Sequence, residues 1–64
     1  MPYDYTNIEI KTIENKVFRY EVGSVFKLGN ELTVHFLVED ERGKHDMMVM
    51  FNFDNVIAIS YREN

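Results

Sequence analysis

An all-β fold is predicted by three features of this 64-residue chain. Apolar and polar residues alternate along most of its length, which is the period of a strand with one face buried. β-Branched and aromatic side chains, which suit a half-buried pleated surface, are frequent, and aromatics alone make up 14% of the residues. No segment carries a helical apolar stripe over several turns.

The alternation predicts five strands, at roughly 6–13, 17–28, 32–40, 45–53 and 56–62. Their pairing follows from parity, because facing residues must send core side chains to the same side and a one-residue slip reverses that side. The first turn, Glu14-Asn15-Lys16, sets Thr12 near Phe18, Ile10 near Tyr20 and Ile8 near Val22. The second turn offers two registers. A two-residue Gly29-Asn30 turn sets Leu28 against Glu31 and Phe26 against Thr33, whereas a three-residue loop sets Leu28 against Leu32 and Phe26 against Val34. The longer loop keeps apolar residues together and is the expected one. A turn centred on Arg42-Gly43 sets Val38 against Met47 and Phe36 against Val49. Asp54-Asn55, both turn-favouring residues, then sets Phe53 against Ile57 and Met50 against Ser60.

These pairings predict a single domain, residues 1–64, built as a five-stranded antiparallel meander. The long second strand carries Gly23-Ser24 in its middle, where a glycine marks a bulge or a sharp bend. A bent strand of this length lets a small sheet curl over its own core. The expected architecture resembles SH3-like and Sm-like small barrels, and the resemblance lies in the arrangement of strands, not in any motif.

Size and composition narrow the function. A domain this small is marginally stable and commonly needs a disulfide, a metal or a partner subunit. The chain has no cysteine and only two histidines, His35 and His45, so neither a disulfide nor a tetrahedral metal site is expected, which leaves a very well-packed core or self-association. The absence of cysteine suits a reducing compartment. The N-terminal Met1-Pro2-Tyr3-Asp4-Tyr5 has no signal-peptide character, and no apolar run approaches the length of a membrane span. A cytoplasmic protein with no membrane contact is expected. The net charge of −4 argues against nonspecific binding to nucleic acid or anionic lipid.

Two surface features stand out. The outward set of the last three strands gathers Leu37, Met48, Met50 and Ala58 beside His35, and methionine-centred patches adapt to partners. This is the expected oligomer or partner interface. The same registers align Glu9, Glu21, Glu39 and Asp46 in a row, although like charges directly opposite repel. Lys11 and Arg19, with Lys27 and Arg42, form a candidate anion-binding set for a small anionic ligand.

Catalysis is not expected. His35 shares its predicted row with Met50 and Ser60, with no carboxylate to orient it, and His45-Asp46 are strand neighbours that point to opposite faces. No phosphate-binding glycine loop and no cofactor site is expected. The leading expectation is a homo-oligomeric module that binds another protein, of the size and acidity found among phage and mobile-element inhibitors of host proteins. A nucleotide-sequestering oligomer with basic residues lining a pocket between subunits comes second. An Sm-like RNA binder comes third, because most aromatics are assigned to the core face.

Overall fold

The computed structural model describes residues 3–63. Five strands form one antiparallel sheet: β1 (Tyr5–Thr12), β2 (Val17–Leu28), β3 (Glu31–Asp40), β4 (Gly43–Asn52) and β5 (Val56–Glu63). A single 3-10 turn, Phe53–Asn55, joins β4 to β5. The strands lie in the order β4-β3-β2-β1-β5. The first four make the expected meander. β5 does not fold back on β4, as the Asp54-Asn55 hairpin required, but crosses to the far side of β1.

The crossing is held by polar contacts at the junction. Asn52 caps the 3-10 turn, its Oδ1 accepting from the Asp54 backbone N–H at 3.0 Å. Asn30, in the β2–β3 turn, donates through Nδ2 to Asn52 Oδ1 at 2.9 Å and to Asp54 Oδ2 at 3.0 Å. Its carbonyl accepts from Phe53 N–H at 2.8 Å. Asn55 O accepts from Ile13 N–H at 2.9 Å, which ties the 3-10 turn to the β1–β2 turn. These bonds steer the chain across one end of the sheet and deliver Val56 opposite Thr12.

Each hairpin differs in register from expectation. The β2–β3 turn is the two-residue Gly29-Asn30 form, with Leu28 opposite Glu31 and Phe26 opposite Thr33. Gly29, at φ +60°, supplies the first central position of a type II′ turn, a geometry whose twist matches the flanking strands. Turn chemistry therefore prevails over apolar matching, and Phe26 and Leu28 face outward while Val25 pairs inward with Val34. The β3–β4 turn is Glu41-Arg42, closed by Asp40 Oδ1 accepting from Arg42 N–H at 2.8 Å. Phe36 consequently faces Met47, two residues from the expected register. In the first hairpin Ile8 faces Tyr20 and Ile10 faces Phe18, again a shift of two. Shifts of two preserve every face assignment.

β2 is shared between two partners. Val17–Gly23 pairs with β1, and Gly23–Leu28 pairs with β3. Beyond Gly23 the inward set of β2 changes from Phe18 and Tyr20 to Val25, so the sheet folds into two halves. The buried cluster shows the fold-over: Ile8 and Ile10 of β1 pack against Leu32 and Val34 of β3, strands that are not neighbours in the sheet. Phe18 meets Phe51 edge-on at 5.3 Å and Tyr20 meets Phe36 at 4.5 Å between ring centres, closing the core from its flanks. β4 and β5 remain as free edges, so the sheet curls without closing into a barrel. Irregular pairing falls not at Gly23 but in β1 against β5, around Asn7 at φ +52°. No helix among the described residues is long and apolar enough to cross a membrane.

Candidate interaction surface

The outer face of β2, β3 and β4 is built from three adjoining rows. Phe26, Thr33 and Met50 form one; Ser24, His35 and Met48 form the next; Leu37 and Asp46 follow. Because the β2–β3 turn sends Phe26 outward, this face gains an aromatic ring where the expected register had none. Phe26 is 55% exposed, Met48 56% and Met50 59%. The His35 ring stands edge-on to Phe26 at 6.3 Å between centres. Ser24 is buried at the margin, its Oγ accepting from the Asp4 backbone N–H at 3.3 Å, so the N-terminal segment runs along that border and leaves the methionines uncovered. Glu31 and Asn52 bound the patch at the turn end, and Asp46 at the other.

Ala58 lies apart from this face. It sits on β5 opposite Lys11, near Val17 and Ser60, on the other edge strand of the sheet. Leu37 is half-buried at the end of the patch, opposite Asp46. The acidic row does not form: Glu9 faces Arg19 and binds it at 3.2 Å, Glu39 faces Lys44, and Asp46 faces Leu37. Of the basic set, Arg19 is engaged by Glu9, and the Lys27 ammonium lies 4.8 Å from the Phe53 ring centre. Arg42 is in the β3–β4 turn, at the opposite end of β3 from Lys27, so the four cations are not brought together within one chain.

Two clefts open where the folded sheet parts. One, of about 330 Å³, lies between the first half of β2 and the end of β3, with Tyr20 and Phe36 in its wall. The other, of about 280 Å³, lies between the β1–β2 turn and the end of β4, bordered by Thr12, Lys16, Phe51 and Asn52. Both are at the small end of the range for ligand pockets. Burial raises the Tyr20 phenol above its ordinary value of 10.0. Tyr5 is raised by desolvation and then by Tyr61, Glu63 and Asp4, and its ring lies 4.3 Å from that of Tyr61. Tyr3 is buried within the chain. His45 Nε2 lies 3.0 Å from Asp40 Oδ1, an exposed pair that braces the hairpin.

Sequence reasoning found the methionines and His35 through alternation but missed Phe26. The available signal was Gly29-Asn30 itself, whose preferred two-residue turn turns Phe26 outward. Comparison of the chain with protein-family models, curated proteins and solved structures gives no match.

Proposed function

We propose that this chain is a non-enzymatic binding module that self-associates and acts by contacting another protein. The observation that carries this reading is the contiguous outer face of Phe26, His35, Met48 and Met50. Three large apolar side chains there are more than half exposed, Phe26 on β2 and Met48 and Met50 on β4, on either side of Thr33 and His35 of β3. Exposed apolar groups that adjoin, unlike scattered ones, mark interaction surfaces. Methionine and an aromatic anchor are also side chains enriched at interfaces. The small buried cluster gives independent support, because a domain with so few fully buried side chains gains most from covering its surface with a partner.

We further read the architecture as a partly open small barrel of the SH3-like or Sm-like kind. Support comes from β5 returning to β1 and from β2 being shared between two halves of the sheet at Gly23. A cytoplasmic setting is supported by the cysteine-free composition.

The test is solution mass by light scattering over a dilution series, for the parent and for a Met48→Glu/Met50→Glu variant. The expected result is a parent oligomer that the variant converts to a folded monomer. A parent that stays monomeric at the highest concentration, with a variant that behaves identically, overturns self-association through this face.

A further inference from the structure

β4 is the least protected element of the fold. It is an edge strand that pairs with β3 through ten consecutive residues, Gly43 to Asn52, without a register shift. Its central run, Met47-Met48-Val49-Met50-Phe51, has no charge, proline or glycine. Natural edge strands are guarded by charges, prolines or bulges, because an unpaired row of N–H and C=O groups templates further pairing. The other edge, β5, is broken by two register shifts against β1, whereas the charges of β4, Lys44 and Asp46, lie in its first half and leave the central run unguarded.

The hairpin determines which groups of β4 are free. Asp40 and Gly43 flank a two-residue turn and so form a closely hydrogen-bonded pair. Pairs alternate from there, so His45, Met47, Val49 and Phe51 direct their backbone groups to β3. Lys44, Asp46, Met48, Met50 and Asn52 direct theirs away from the sheet. The side chains of this second set are the ones on the outer face.

We infer that two copies of the chain pair edge to edge through β4, antiparallel about a two-fold axis at Val49. This deepens the proposed self-association and rests on it. Symmetric pairing of like faces requires facing residues of equal parity. Centring on Val49 sets Met48 against Met50 of the second copy, Met47 against Phe51, and Asp46 against Asn52. Apolar residues then meet apolar residues, and no carboxylate faces another. Asn52 Oδ1 is already occupied within its own chain, which leaves its Nδ2 to donate to the incoming Asp46. Lys16 and Glu14 border the same cleft as Asn52 and offset one another, so the Asn52 amide is the group that meets the carboxylate. Centring on Met48 instead sets Asp46 against Met50 and wastes both. The paired edges join the two sheets into one and fuse the two methionine faces into a single surface.

The chain lacks cysteine, so single-cysteine variants report the register cleanly. At the axis, residue 49 faces itself as a non-hydrogen-bonded pair with Cα atoms about 4.5 Å apart, within disulfide range. With diamide as oxidant, Val49→Cys is expected to cross-link at least about tenfold faster than His45→Cys or Ala58→Cys, whose Cα atoms lie beyond that range. Hydrogen exchange on the unaltered chain supplies a second readout that needs no variant. The Met48 and Met50 amides, free in the monomer, are expected to be protected at concentrations where the mass is dimeric and to exchange freely on dilution. A dimeric mass with both amides exchanging freely, or with cross-linking fastest at 58, overturns edge pairing while leaving self-association standing. A monomeric mass at every concentration overturns both.

Discussion

Thr12 has a buried hydroxyl whose Oγ1 finds no hydrogen-bond partner. Its backbone is well used, with N–H donating to Lys16 O and the carbonyl accepting from Asn15 N–H, both at 2.9 Å. The side chain is therefore held by a turn that does nothing for its oxygen. A desolvated hydroxyl without a bond is destabilising, and valine has the same shape and the same β-branching. Thr12→Val is expected to stabilise the chain by about 1 kcal/mol, read as a higher urea midpoint at unchanged slope. A lower midpoint would mean that the hydroxyl is satisfied in solution. Phe26 is the converse case, an apolar side chain turned to solvent. Alternation alone cannot distinguish it from a core residue, because the change of inward set lies between it and Tyr20. Its position follows from Gly29 at φ +60°, one residue beyond the strand.

At the scale of elements, β2 depends on one close approach. Gly23 is the last β2 residue paired with β1 and the first paired with β3. A Cβ at this position would collide with the His35 carbonyl oxygen and stand 3.2 Å from Ile8 Cδ1. The oxygen belongs to the backbone of β3 and cannot move aside alone, so Gly23→Ala must separate the strands where the sheet folds over. The expected cost is about 2–3 kcal/mol, measured by denaturant unfolding. A variant as stable as the parent would show that the two halves tolerate separation. The sequence revealed that Gly23 was special, but not that contact was the reason. Strand positions and most inward faces were legible, because alternation encodes them. Registers in the first and third hairpins were not, because a parity test is blind to a shift of two. The partner of β5 was not legible either. It depends on side-chain bonds among Asn30, Asn52 and Asp54, residues far apart in sequence, which a turn propensity at Asp54-Asn55 does not reveal.

For the whole molecule, stability and assembly are expected to be one quantity. The buried cluster consists of Ile8, Ile10, Leu32 and Val34, while Phe18, Phe26, Met47, Met48, Met50 and Tyr61 stay substantially exposed. If dimer formation covers part of that surface, unfolding must also dissociate the dimer, and mass action then links the two. Each tenfold rise in protein concentration adds about 1.4 kcal/mol to the unfolding free energy per dimer. Given the enthalpy typical of two chains this size, that raises Tm by about 5 °C. Calorimetry across a hundredfold concentration range is expected to show this slope for the parent and to lose it for Met48→Glu/Met50→Glu. The slope separates two ways in which those glutamates could lower Tm. A charge that merely disturbs the monomer shifts both ends of the series equally, whereas loss of an interface removes the dependence on concentration. A parent Tm that does not change across the range would mean that the small core suffices by itself. The methionine face would then be free for a different protein.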